Sequence, residues 1–66
     1  MKIVVNGESR LVSDAAPVQE VLDSLGAPAT GTAVAVNGEV VPRREWPRRR
    51  LADGDAVEVL TAVQGG

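Results

Sequence analysis

Met1-Lys2-Ile3-Val4-Val5-Asn6-Gly7-Glu8-Ser9-Arg10-Leu11 opens the chain, and its reading sets the first half of the fold. Met1, Ile3 and Val5 alternate with Lys2 and Val4, the period-2 pattern of a strand with one buried face. Asn6-Gly7 follows directly. Both central positions of a tight type I′ turn require positive φ, which Asn and Gly tolerate best. The spacing therefore predicts a hairpin whose second strand runs from Ser9 to Ser13 with Leu11 facing inward.

Working outward, Asp14-Ala15-Ala16-Pro17 is read as a helix start, with Pro17 at the first helical position, where a missing N–H is tolerated. Val18, Val21, Leu22 and Leu25 recur at i, i+3, i+4 and i+7, one apolar stripe, while Gln19, Glu20, Asp23 and Ser24 take the other side. Gly26 supplies a left-handed stop and Pro28 prevents resumption. A loop over residues 27–32 leads to Ala33-Val34-Ala35-Val36, a strand closed by the second Asn-Gly pair, Asn37-Gly38, with Glu39-Val40-Val41 as its short partner. Alternation turns Val34 and Val36 toward the helix and leaves Ala33 and Ala35 on the outer face. Residues 43–50 read as an irregular crossing connection in which Pro47 prevents a helix and Leu51 anchors the far end. Asp53-Gly54-Asp55 is a tight turn, and the last strand, Ala56 to about Leu60, places Val57 and Val59 inward. Strand, strand, helix, strand, short strand, strand is an α+β order. With the last strand returning beside the first, it is the β-grasp arrangement: a mixed sheet of four to five strands with one helix on one face.

Composition removes several functions. A chain of 66 residues is one domain, near the size at which folding buries only about 60% of the unfolded surface. It contains no cysteine and no histidine, so it has no disulfide staple, no thiolate metal site and no imidazole base. No metal site is predicted, and no pair of carboxylates stands in a catalytic setting. The apolar start is too short for a signal peptide, and no run approaches the length of a membrane span. The expectation is a cytoplasmic protein, monomeric when free, with no membrane association. The net charge is −2, unevenly spread: residues 43–50 hold five arginines and one glutamate, and the remainder holds Lys2 and Arg10 against eight acids. One basic corner on an acidic surface follows.

Thr61-Ala62-Val63-Gln64-Gly65-Gly66 completes the chain. Paired glycines add backbone entropy and no packing, so folding does not explain them. At a usual glycine abundance of about 7%, a chance Gly-Gly at this position occurs roughly once in 200 chains. A segment without side chains can thread a channel too narrow for any Cβ. Residues 1–61 are accordingly read as the domain and residues 62–66 as a flexible tail in which Val63, Gln64, Gly65 and Gly66 do the threading.

Taken together, Asn6-Gly7-Glu8, the stripe from Val18 to Leu25, the run from Ala33 to Arg43 with Trp46 shortly after, Asp53-Gly54-Asp55 with Val57-Glu58-Val59, and Gly65-Gly66 resemble the bacterial sulfur carrier family ThiS of thiamin biosynthesis over essentially the whole chain. One departure is Ala16-Pro17, where the family commonly has a hydroxyl cap at the helix start. The resemblance implies a ubiquitin-like β-grasp protein that is a co-substrate and not an enzyme. A ThiF-like adenylating enzyme, related to ubiquitin-activating enzymes, joins the Gly66 carboxylate to AMP from ATP with magnesium. The adenylate is converted to a thiocarboxylate using a sulfur donor such as a cysteine desulfurase, and sulfur passes to thiazole synthase. The chain itself binds no cofactor. Without cysteine it has no side chain to hold a persulfide, which leaves the terminal carboxyl as the sulfur-bearing position.

Two alternatives stand beside this reading. The small subunit of molybdopterin synthase shares the fold, the Gly-Gly end and the chemistry, but usually has a longer chain and a proline before the glycines. A β-grasp interaction module with an inert tail is the other. Leu60, Ala33 and Ala35 form a candidate apolar docking patch for the adenylating enzyme, although scattered exposed apolar residues are common. Trp46 among Arg43, Arg44, Arg48, Arg49 and Arg50 invites a nucleic-acid reading; the acidic remainder argues against it, and a core-capping Trp46 with solvated arginines is the favoured reading, so no nucleic-acid partner is expected. Asp53-Gly54-Asp55 lacks the bidentate glutamate of a calcium loop.

Overall fold

A computed structural model describes residues 1–62. Strands β1 (Lys2–Val5) and β2 (Glu8–Leu11) precede helix α1 (Val18–Leu25), followed by β3 (Thr32–Val36), β4 (Glu39–Val40), a 3-10 turn at Arg43–Glu45, and β5 (Ala56–Thr61). The sheet order is β2-β1-β5-β3-β4. β1 and β5 are parallel and every other pairing is antiparallel. This is the predicted β-grasp topology, with five strands and the last of them in the centre.

Both Asn-Gly pairs form the expected turns: φ is 50° at Asn6 and 84° at Gly7, and 51° at Asn37 and 82° at Gly38. The first turn also fixes a register that differs from the expectation. Val5 pairs with Glu8, Ile3 with Arg10 and Lys2 with Leu11. Directly paired residues share a face, so Leu11 follows Lys2 outward and is 84% exposed. Val12, whose N–H donates to the Met1 carbonyl at 2.9 Å, packs against the core in its place.

Ile3 and Val5, Val34 and Val36, and Val57 bury the inner sheet face against Val18, Val21 and Leu22 of α1, with Val41, Trp46 and Leu51 closing the side. Leu25 and Val59 are half-buried at the edge. Gly26, at φ 71°, ends α1 as predicted: its N–H donates to the Asp23 carbonyl, and that of Ala27 to the Leu22 carbonyl, the paired bonds of a Schellman cap.

The start of α1 differs from the expectation. Pro17 is the extended cap residue (φ −74°, ψ 156°), not the first helical residue, and no side chain caps the helix. The cap comes from far along the chain. Val18 N–H donates to the Arg49 carbonyl at 2.8 Å and Gln19 N–H to the Trp46 carbonyl at 3.0 Å. Two of the four orphan donors of a helix start are thereby satisfied, which accounts for the tolerated loss of a hydroxyl at Ala16-Pro17.

The crossing connection is more regular than predicted. Its 3-10 turn places Trp46 at 2% exposure, with the indole Nε1 donating to the Val41 carbonyl at 3.0 Å. A buried indole satisfies its N–H while adding the largest apolar surface in a core otherwise aliphatic.

Candidate functional site

The candidate site centres on the last strand, β5, which precedes Gly65-Gly66 in the chain. β5 is paired on both sides: with β1 through Val4–Ala56 and Val5–Val57, and with β3 in five pairs from Val36–Val57 to Thr32–Thr61. Central strands have no free edge and fray least. The pairing runs past the Leu60 limit read from sequence, and Ala62 N–H still donates to the Gly31 carbonyl at 2.7 Å. The threading residues Val63, Gln64, Gly65 and Gly66 lie outside the described residues.

Two side chains that the sequence reading valued only for their backbone brace this strand. β1 ends at Val5, so beyond Val57 the strand has no β1 backbone to pair with. The Asn6 carboxamide takes its place: Nδ2 donates to the Val59 carbonyl at 3.0 Å and Oδ1 accepts from Val59 N–H at 2.9 Å. A primary amide presents a donor and an acceptor side by side, so here it stands in for a peptide group. At the other end of β5, Asn37 Oδ1 accepts from Ala56 N–H at 3.0 Å and Asn37 N–H donates to the Ala56 carbonyl at 2.7 Å. Asn37 Nδ2 also donates to Asp55 Oδ1 at 3.0 Å. Each turn asparagine holds one point of the strand that leads to Gly65-Gly66.

The predicted docking residues come together on the outer face. Ala33 is paired with Leu60, and Ala35 with Glu58. The second turn adds a member that sequence reasoning missed: Val40 is paired with Ala35 on its other side and is 72% exposed, beside Leu60 at 71%. The signal was present, because a two-residue Asn37-Gly38 turn that pairs Val36 with Glu39 must pair Ala35 with Val40. Ala33, Ala35, Val40 and Leu60 line a shallow hollow together with Val34, Asn6 and Glu58. Asn6 also borders a second hollow on the helix side, lined by Leu25, Ala27, Pro28, Val59 and Thr61. The end of β5 is therefore accessible from both faces of the sheet.

The other motifs resolve as ordinary structure. Asp53 Oδ1 accepts from Lys2 N–H at 2.8 Å, Asp55 Oδ2 accepts from Ala52 N–H at 2.8 Å, and Gly54 has φ 87°, so the segment is a turn stitched to β1. Burial of Trp46 removes the aromatic that nucleic-acid stacking would need. Among the described residues no three His, Cys, Asp or Glu side chains are grouped to hold a metal, and no helix is long and apolar enough to cross a membrane. Among the described residues no charged side chain is buried, and the buried indole N–H of Trp46 is satisfied. The described surface presents a strand end flanked by two shallow hollows.

Comparison with known proteins agrees with this geometry. The ThiS family model matches residues 3–66. Sulfur carrier protein ThiS of Escherichia coli is 30% identical over 66 residues, covering 100% of both chains. That of Thermus thermophilus is 42% identical over 62 residues, covering 94% of this chain and 95% of its own. A thiazole synthase of Paramagnetospirillum magneticum is 36% identical over 66 residues; the match takes in 100% of this chain, which spans only 20% of that protein's length. The crystal structure of thiamine biosynthesis protein ThiS from Geobacter metallireducens superimposes with a TM-score of 0.83 at 38% identity, covering 100% of each chain. With the model matched through Gly65-Gly66 and the whole β-grasp superimposed, this chain belongs to the ThiS family.

Proposed function

We propose that this chain is a sulfur carrier for the thiazole moiety of thiamin, acting as a protein co-substrate with Gly66 as the sulfur-bearing residue. The observation that carries the reading is the central, doubly paired β5, which precedes Gly65-Gly66 in the sequence. The sheet holds the chain through Ala62, and the four residues after it span at most about 14 Å when extended. That length is enough to place a carboxyl inside a partner's active site while the rigid domain stays outside.

A carboxylate is a poor electrophile because its charge is delocalised over two oxygens, so it needs a leaving group. In the proposed sequence a Gly66 carboxylate oxygen attacks the α-phosphorus of ATP and pyrophosphate leaves. Persulfide sulfur from a donor such as a cysteine desulfurase then attacks the acyl carbon and AMP leaves, giving an acyl disulfide; a thiol cleaves its S–S bond, which frees the thiocarboxylate on Gly66 and leaves the thiol's sulfur in a disulfide with the donor. ATP, magnesium and the catalytic groups belong to a ThiF-like adenylating enzyme. This chain contributes positioning: Asn6, Asn37 and the β1 and β3 pairings fix where the tail begins, and Ala33, Ala35, Val40 and Leu60 provide an apolar face for docking. The thiazole synthase relative, in which a segment similar to this entire chain belongs to a larger polypeptide, supports thiazole synthase as the sulfur acceptor. Work with these partners belongs in the cytoplasm, with the free carrier a monomer.

Intact mass spectrometry after incubation with the adenylating enzyme, ATP and a sulfur donor tests the proposal. A mass change equal to one oxygen replaced by sulfur, mapped to Gly66 by fragmentation, is the expected result. An unchanged mass under conditions that convert a ThiS homologue would overturn it.

A further inference from the structure

One tetrapeptide occurs twice, as Val5-Asn6-Gly7-Glu8 and as Val36-Asn37-Gly38-Glu39. Asparagine is a thermolabile residue, and most so before glycine, because no Cβ screens the next backbone nitrogen from the asparagine side chain. That nitrogen is open in both turns. A Cβ built on Gly7 or Gly38 would meet nothing within 4 Å, and neither N–H donates to a backbone carbonyl among the described residues. All four turn residues are exposed. With the same neighbours on either side, the two asparagines have nearly the same intrinsic reactivity, so a difference between them has to come from the fold.

Reaction requires the carboxamide to leave its present partners and turn Cγ toward the next nitrogen. Asn6 is held on both polar atoms by the backbone of a central strand, through the Val59 carbonyl at 3.0 Å and the Val59 N–H at 2.9 Å. Asn37 has one such hold, from Ala56 N–H to its Oδ1 at 3.0 Å. Its Nδ2 has only another side chain, the Asp55 carboxylate at 3.0 Å, whose second oxygen already accepts from Ala52 N–H. The strand beyond the turn is also shorter: β4 has two residues where β2 has four. Both are sheet edges, and the shorter edge opens more readily.

We infer that Asn37 is a site of spontaneous deamidation in the folded chain, and that Asn6, within the same tetrapeptide, is shielded by its grip on Val59. The Gly38 nitrogen gives its proton to solvent and attacks Asn37 Cγ. A ring closes through the new N–Cγ bond, the Cγ–Nδ2 bond breaks, and Nδ2 departs as ammonia. Water then opens the ring at either carbonyl: at Cγ it yields an aspartyl residue, and at the main-chain carbonyl an isoaspartyl one, with the chain running through Cγ. Water is the only co-reactant. The aspartyl product sets a second carboxylate against Asp55 where a hydrogen bond stood, a like-charge contact at the start of β5. The isoaspartyl product adds an atom to the main chain of a tight turn that sets the pairing of Val36 with Glu39 and of Ala35 with Val40. Either product loosens the side of the sheet that carries β4.

The test incubates the full chain in mildly alkaline buffer, folded and in urea, and digests samples with trypsin at intervals. Arg10 lies between the two asparagines, so they fall on separate peptides. Mass spectrometry reads the replacement of NH2 by OH at each, and an isoaspartyl methyltransferase with a labelled methyl donor reads the isoaspartyl share. Each folded rate is divided by the rate of the same position in urea, which removes any difference in intrinsic reactivity. On that scale Asn37 is expected to convert roughly five- to tenfold faster than Asn6, the ratio set by about one backbone hydrogen bond more to break at Asn6. Isoaspartyl label is expected on the Asn37 peptide of the folded chain. Equal scaled rates, a faster Asn6, or an unconverted Asn37 after a time that converts the urea-treated chain in full would each overturn the inference. The readout needs no partner enzyme and no tail chemistry, so its outcome is independent of the carrier reading.

Discussion

Replacing Asn6 by glycine removes the carboxamide that braces the end of β5 while keeping a residue at ease with the 50° φ of that position. Two hydrogen bonds to Val59 are lost, at 3.0 and 2.9 Å. Each is worth about 0.5–1.5 kcal/mol net, and their exposure favours the lower half, so the loss is about 1–2 kcal/mol. For a domain of this size that lowers the thermal midpoint by roughly 7–14 °C. The same loss raises amide exchange through global opening about tenfold, a change to be read at Val4, whose N–H donates to the Asp55 carbonyl. Val59 behaves differently. Its N–H has lost its acceptor outright, so its protection falls well beyond that at Val4. Asn6→Asp is the companion variant: it keeps an oxygen to accept from Val59 N–H and loses only the donor to the Val59 carbonyl. Its Val59 amide stays protected even though stability drops. Hydrogen exchange followed residue by residue by NMR reads all three proteins. Should Val59 in the glycine variant lose no more protection than Val4, the amide does not serve as a stand-in peptide.

Other residues give sharper yes-or-no outcomes. Trp46→Ala opens a cavity beneath the arginine segment and is expected to cost about 3–5 kcal/mol, comparable to the whole stability of a small domain; a chemical denaturation midpoint near zero denaturant is the expected reading. The hairpin register predicts that Leu11→Ala leaves stability within about 0.5 kcal/mol, whereas Val12→Ala costs about 1 kcal/mol; the reverse order in denaturation curves would restore the inward Leu11. Val40→Ser and Leu60→Ser, both on exposed apolar positions, are expected to leave the melting curve in place and to weaken adenylation through KM, by roughly tenfold together; unchanged steady-state kinetics would remove the outer face from docking.

What the sequence disclosed and what it withheld divide along a physical line. Period-2 and period-3.6 patterns depend on neighbours within a few residues, and they located Ile3, Val5, Val18, Val21, Leu22, Val34, Val36 and Val57 in the core. Turn chemistry is equally local, so Asn6-Gly7, Gly26 and Asn37-Gly38 were read with their backbone signs. Leu11 was misplaced because hydrophobicity was weighed over register; the two-residue turn, counted through, points Leu11 outward, and the same count on the second turn finds Val40. Two features had no local signal at all. The cap on α1 comes from carbonyls of Trp46 and Arg49, and the grip of Asn6 on Val59 spans 53 positions. Both depend on which elements become neighbours, which is known only once the sheet order is known. The exposed apolar patch of Ala33, Ala35 and Leu60 was partly legible because alternation fixed the faces of β3 and β5, while Val63, Gln64, Gly65 and Gly66 rest on sequence and family resemblance.

ATP–pyrophosphate exchange by the adenylating enzyme, run with the full chain and with the chain lacking Gly66, tests the carrier role most directly. The full chain is expected to support exchange of labelled pyrophosphate into ATP. The shortened chain, with the same melting temperature and the same fold by NMR, is expected to support none. Equal exchange from both would show that the carboxyl of Gly66 is not the group activated, and would contradict the role assigned to it.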